Sequence, residues 1–181
     1  MEFKELTKSA KAMAKSDKLF LGRIDDSYYI CNGYWLAKVH KAYYETVFRP
    51  VSPRFIPLED QEGANTMDKK RIPEKCERLK FEDIIGKNEC FDDNKVHATQ
   101  FISEIARGKT RIIENGDTFM QVNEDFWEMM KPLASEWYGT SGSAITPIYS
   151  DFTKETAALI LPIRMVEDAE YQVVNRNKAV A

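Results

Sequence analysis

Two Asn-Gly dipeptides, Asn32-Gly33 and Asn115-Gly116, each stand between short runs rich in aromatic or β-branched residues, and they limit the fold more than any other feature of the chain. Asn-Gly tolerates the positive φ of a tight turn, so each marks a β-hairpin. Around the first, Ser27 to Cys31 and Tyr34 to Val39 read as strands, and Leu19 to Ile24 precedes them across the polar turn Asp25-Asp26. Around the second, Thr110 to Glu114 pairs with Asp117 to Val122. A helix accompanies each hairpin. Residues 4–16 read as an amphipathic helix, Leu6, Ala10 and Met13 falling on one side at helical spacing together with Phe3 just before it. After the second hairpin, Asn123 caps a helix from Glu124 to about Leu133, with Phe126, Met129, Met130 and Leu133 on its buried side.

The middle of the chain has a different character. Arg49-Pro50-Val51-Ser52-Pro53 breaks the pattern, and Glu59 to Lys70, between Pro57 and Pro73, has no apolar period and reads as a mobile loop. Short helices are predicted at Phe81–Ile85 and at Thr99–Arg107, the latter closed by Gly108. A Gly/Ser-rich loop, Gly139 to Ser143, leads to strands at Ala144–Ser150 and Thr156–Met165. The expected fold is therefore α+β, antiparallel sheets with helices. It forms one domain over 1–165, with 50–108 as a helical and loop insertion and 166–181 as a polar tail.

At 181 residues with 43% hydrophobic and 12% aromatic content, the chain can build a sizeable core. A formal net charge of -3 makes bulk electrostatics neutral on nucleic-acid binding, so any charge-driven function rests on a local patch. The sequence opening at Met1-Glu2-Phe3-Lys4-Glu5 lacks the apolar stretch of a signal peptide, and no apolar run approaches the length of a membrane span. Cys31, Cys76 and Cys90 are odd in number and share no CxxC spacing. A soluble cytoplasmic protein with reduced thiols is the expectation.

Chemistry finds little footing. His40 and His97 are far apart, and neither stands at ligand spacing from a second donor. The acidic pairs Asp25-Asp26, Glu59-Asp60 and Asp92-Asp93 fall where turns favour Asp for backbone reasons. Gly139-Thr140-Ser141-Gly142-Ser143 has neither a nucleophile elbow nor a phosphate-loop lysine. No catalytic residue, metal or cofactor is expected.

Binding is better served. Lys4, Lys8, Lys11 and Lys15 repeat at i, i+4, i+7 and i+11, which places them together on the face of the first helix opposite its apolar side. Four ammonium groups in a row suit a phosphate backbone, and a solvated helix face is the plainer reading. Lys69, Lys70 and Arg71 add a basic cluster in the middle loop. Tyr28, Tyr29, Tyr34, Trp35, Tyr43, Tyr44 and Phe48 form the densest aromatic group, about half of it expected in the core by strand alternation. The helix after the second hairpin shows Glu124, Glu128 and Lys131 on its open side, a surface that would repel a duplex.

The closing segment Ile145-Thr-Pro-Ile-Tyr-Ser, followed by Ala157-Ala-Leu-Ile-Leu-Pro162-Ile-Arg164-Met165, resembles the last hairpin of bacterial DNA polymerase sliding clamps. The opening Leu19-Phe-Leu-Gly, Tyr28-Tyr-Ile-Cys and Tyr34-Trp-Leu-Ala-Lys-Val39 is similar to the start of a clamp domain. The resemblance implies two helix-plus-hairpin halves, a lysine-bearing helix toward DNA, and a homodimer formed edge to edge. It leaves residues 50–108 without a counterpart. Tyr28 to Val39 and the ending also resemble small accessory proteins of Firmicutes phages and mobile elements, a group that includes inhibitors of type II-A CRISPR nucleases. Two functions are thereby implied. One is a non-enzymatic inhibitor of a host DNA-targeting nuclease such as Cas9 with its guide RNA. The other is a clamp-derived replication or recombination accessory that binds duplex DNA.

Overall fold

The computed structural model describes residues 4–15, 19–47, 64–67, 73–76, 81, 84, 94–105, 108–163 and 172–175. The fold is α+β, built of helices and antiparallel sheets. The chain divides into two compact units, Met1–Glu89 with Asp151–Ala158, and Cys90–Ser150 with Leu159–Ala181.

The first unit opens with helix α1 (Lys4–Lys15) and continues as a meander of β1 (Phe20–Ile24), β2 (Ser27–Cys31) and β3 (Trp35–Val39), then α2 (Lys41–Val47). Strands β4 (Ala64–Met67) and β5 (Pro73–Cys76) extend the sheet in the order β5-β4-β1-β2-β3. In β2 the last four residues are all buried, so both faces of the strand are covered. Tyr44 of α2 stacks on Tyr28 at 4.5 Å between ring centroids, covering one face. Phe81 stacks on Tyr29 at 5.6 Å and covers the other. Gly22 lies directly across the ladder from Tyr29. A Cβ on Gly22 would stand 2.2 and 2.4 Å from two ring carbons of Phe81, so the ring occupies the slot that the missing side chain leaves. His40 starts α2, its Nδ1 accepting the Tyr43 N–H at 3.0 Å.

The second unit contains β6 (Asn94–Lys95), β7 (His97–Ile105), β8 (Gly108–Asn115), β9 (Thr118–Asn123) and helix α3 (Glu124–Met130), which tightens into a 3₁₀ turn at Lys131–Leu133. Strands β10 (Tyr138–Gly139) and β11 (Ile148–Tyr149), and the second half of β12 (Ala157–Ile160), form a small ladder with β6. A four-stranded sheet has the order β13-β7-β8-β9, with β13 at Gln172–Asn175. Asn123 caps α3 as the sequence predicts, its Oδ1 accepting the Phe126 N–H at 3.0 Å.

Both Asn-Gly hairpins form, with the turn one residue later than the dipeptide. Asn32 pairs with Trp35 through its N–H, and Asn115 stands opposite Thr118, so the loop residues are Gly33-Tyr34 and Gly116-Asp117. Glycine at the first loop position carries φ of +89° and +59° respectively, which a Cβ would oppose.

Three expectations are corrected. Residues 99–107 do not form a helix, because His97–Ile105 is a strand paired to β8, and Gly108 (φ +117°) belongs to the β7–β8 hairpin. The described residues of 50–108 are mainly strand, with Phe81 and Ile84 helical. Of the expected strand Ala144–Ser150 only Ile148–Tyr149 pairs, and Thr156–Met165 contracts to Ala157–Ile160 with an isolated bridge from Ile163 to Gln121. Within the polar tail, the described residues Gln172–Asn175 form a strand that pairs antiparallel with β7. Residues 48–63, including Phe48 and the Glu59-Asp60 pair, lie outside the described residues, as do Cys90 and Asp92-Asp93.

Candidate functional site

Helix α1 arises because Leu6 is fully buried while Lys4, Glu5 and Lys8 face solvent. Thr7 shares a 2.8 Å hydrogen bond with the Tyr43 hydroxyl, which ties α1 to α2. At about 1.5 Å rise per residue, the backbone from Lys4 to Lys15 extends about 16 Å. The helix places Lys4, Lys8, Lys11 and Lys15 along one stripe, four, three and four residues apart. Lys4 and Lys8 are exposed, and the side chains of Lys11 and Lys15 lie outside the described part of the structure. Lys8 approaches Glu5 at 3.8 Å with both side chains mostly in water. Such a pair contributes at most about 1 kcal/mol and leaves the ammonium available. Lys69, Lys70 and Arg71 lie outside the described residues.

The aromatic group is more buried than strand alternation predicts, because α2 and Phe81 cover both faces of β2. Tyr28, Tyr29, Trp35, Tyr43 and Tyr44 are buried, and burial pushes the phenols of Tyr29, Tyr43 and Tyr44 up. Tyr34, at the tip of the β2–β3 hairpin, is 63% exposed. Cys31 is also buried, with its thiol pushed up to about 11 by desolvation. A protonated, enclosed thiol is a poor nucleophile.

The acidic face expected on the helix after the second hairpin is corrected. Glu124 is buried and takes a two-pronged ion pair from Arg111 of β8, Nε to Oε2 at 2.8 Å and Nη2 to Oε1 at 2.6 Å. Arg111 Nη1 also donates to the Thr99 carbonyl at 2.9 Å. Glu128 turns to Lys131, whose ammonium reaches both carboxylate oxygens at 2.8 Å. This charge is therefore consumed in fastening α3 to its sheet, which the sequence signalled only as a helix capped by Asn123. Arg111 lies 13 residues before Glu124 and carries no local cue to the pair.

Among the described residues no group of three or more His, Cys, Asp or Glu side chains is arranged to hold a metal ion. His97 is exposed across from Glu114, and His40 serves as the helix cap. No helix among the described residues is long and apolar enough to cross a membrane. In comparisons with known proteins, no family model matches the chain and no curated protein matches it.

Proposed function

We propose that this chain is a non-enzymatic binding protein of a phage or mobile element that inhibits a host DNA-targeting nuclease, with Cas9 and its guide RNA as the leading target. The observation that carries the reading is the lysine repeat on α1, where Lys4 and Lys8 are exposed on a helix anchored by Leu6 and Thr7. Ammonium groups at successive helical turns match the repeat of a sugar-phosphate chain and release counterions when they meet it. An inhibitor of this kind engages the nucleic-acid side of the nuclease complex. The resemblance of Tyr28 to Val39 to phage accessory proteins supports the same assignment.

The test is electrophoretic mobility of duplex DNA, of Cas9 with guide RNA, and of both together, titrated with the protein. A supershift or a lost target complex seen only with Cas9 present supports inhibition, and cleavage unaltered at large molar excess sinks it. The same stripe also favours a second reading, a clamp-derived accessory that binds duplex DNA alone. In that case Lys4→Glu with Lys8→Glu, both tolerated by a helix, weakens duplex binding and reduces the slope of log K against log salt by about 2. Absence of any DNA shift at low salt rules it out.

A further inference from the structure

The two Asn-Gly dipeptides occupy the same place in their hairpins, the residue before a two-residue loop, yet their side chains are held in opposite ways. At Asn32 the carbonyl oxygen Oδ1 accepts the N–H groups of Tyr34 at 2.9 Å and Trp35 at 3.0 Å. Among the described residues its amide nitrogen has no protein partner, and Gly33 and Tyr34 beside it are exposed. At Asn115 the amide nitrogen Nδ2 donates to the carbonyls of Thr140 at 2.7 Å and Ser143 at 3.0 Å. The side chain there is completely buried and its Oδ1 has no hydrogen-bond partner.

We propose that Asn32-Gly33 is a self-modifying site that converts to aspartate and isoaspartate in the folded protein, while Asn115-Gly116 is protected. The reaction needs only water and base. Hydroxide removes the Gly33 N–H proton, the nitrogen attacks Asn32 Cγ, and negative charge gathers on Oδ1. The bond from Cγ to Nδ2 then breaks, Nδ2 takes a proton from water and leaves as ammonia, and a five-membered succinimide remains. Water opens that ring at either carbonyl.

The Gly33 N–H must first release its 3.2 Å hydrogen bond to Cys31 Sγ, but charge build-up and departure of the leaving group are favoured at Asn32 and opposed at Asn115. The two N–H donors on Asn32 Oδ1 sit where the oxyanion forms, and hydrogen bonds to a developing charge strengthen as it grows. Its leaving nitrogen is unheld, and glycine supplies an attacking nitrogen with no side chain in the way. At Asn115 the leaving nitrogen is tied to two carbonyls, and the oxygen would have to take up charge in a buried site with no donor. Ring closure also needs the backbone to turn about Asn32, which the end of a hairpin permits by local opening. The product places a new carboxylate beside exposed Tyr34, and the isoaspartate form inserts a methylene into the turn and breaks the caps on Tyr34 and Trp35.

The full-length protein is held at about pH 9 and 37 °C for days, native and in urea, then digested with trypsin. The peptides 24–38 and 112–154 are read by mass and fragmentation for the gain of about one dalton. The native protein should convert Asn32 at least about tenfold faster than Asn115, the scale that one charge-assisted hydrogen bond and one lost restraint set. In urea the two rates should approach each other. Equal native rates, faster conversion at Asn115, no conversion at Asn32, or the same ratio in urea as in the native state would each overturn the assignment.

Discussion

The contact between Gly22 and Phe81 offers the sharpest test of the first unit's packing. Phe81 is buried against Tyr29 in the slot left by Gly22, so Gly22→Ala drives a methyl to within 2.2 Å of the ring. Ring atoms in a stacked, buried position cannot yield that distance by bending, so the ring must leave. Its departure forfeits about 2–4 kcal/mol of burial, judged from Phe→Ala substitutions in cores. Against that stands a gain of about 0.5–1 kcal/mol from replacing glycine in a strand. The net expectation for Gly22→Ala is a loss of about 1–3.5 kcal/mol, and for Phe81→Ala about 3–5 kcal/mol. With the ring gone, the new methyl meets no clash and fills part of the cavity. The double variant should therefore be no less stable than Phe81→Ala alone, giving a coupling of about 2 kcal/mol. Urea unfolding followed by circular dichroism measures all four proteins, with unchanged m-values required for the comparison. Additive losses, or a neutral Gly22→Ala, would refute the claim that Phe81 occupies the glycine's vacancy.

Two further outcomes follow from the interior. Glu124→Gln removes the close, two-pronged partner of the buried Arg111 guanidinium and leaves it only Glu128 at 3.5 Å, so stability should fall by up to about 3–5 kcal/mol. Arg111→Met with Glu124→Leu should recover most of it, and an equal loss in the double variant would show that the pair is not the cause. For Cys31 the folded thiol titrates near 11 against an ordinary 9.0. The raised value means that the stabilisation is complete below pH 9 and is lost as pH rises toward 11, by about 3 kcal/mol over the interval. Cys31→Ser, which does not titrate there, should flatten the alkaline limb of a thermal-melt profile. An unchanged limb would place the alkaline transition elsewhere.

The hairpins and the helices α1 and α3 were legible because their cues are local. Asn-Gly turns, an Asn cap at 123 and apolar residues at helical spacing depend on neighbours within four positions. Residues 99–107 misled for the converse reason. Phe101, Ile102 and Ile105 followed by Gly108 imitate a helix with its glycine stop, whereas the strand state is fixed by partners on β8 and β13. The register also shifts between Ala98 and Ile102, where four steps on β7 oppose two on β8. That irregularity destroys the period-two alternation by which a strand is recognised. Glu124 was misread on similar grounds. Acids at 124 and 128 with a lysine at 131 look like a solvated face, and only the sheet brings Arg111 to them. Of the lysine repeat on α1, the structure shows Lys4 and Lys8 exposed. The aromatic group could be assigned to core only once Tyr44 and Phe81 were seen on opposite faces of β2.

A chain of net charge -3 can engage a polyanion only if the attraction is local, and the dimensions of α1 allow that. The stripe is about 16 Å long, and at physiological salt charges separated by more than about 8 Å in solvent hardly feel one another. A phosphate chain lying along α1 therefore meets Lys4 and Lys8 directly, while most of the protein's excess acid is screened from it. Several charges elsewhere are moreover tied up in pairs, Glu124 with Arg111, Glu128 with Lys131, Glu136 with Lys95 and Asp151 with Lys154. Lowering the salt lengthens the range of repulsion, but it also raises the entropy gained when counterions leave the phosphates. For contacts this close the second effect is the larger. Binding through α1 must then tighten steadily as salt falls, and an affinity indifferent to salt would move the binding surface away from the lysine stripe.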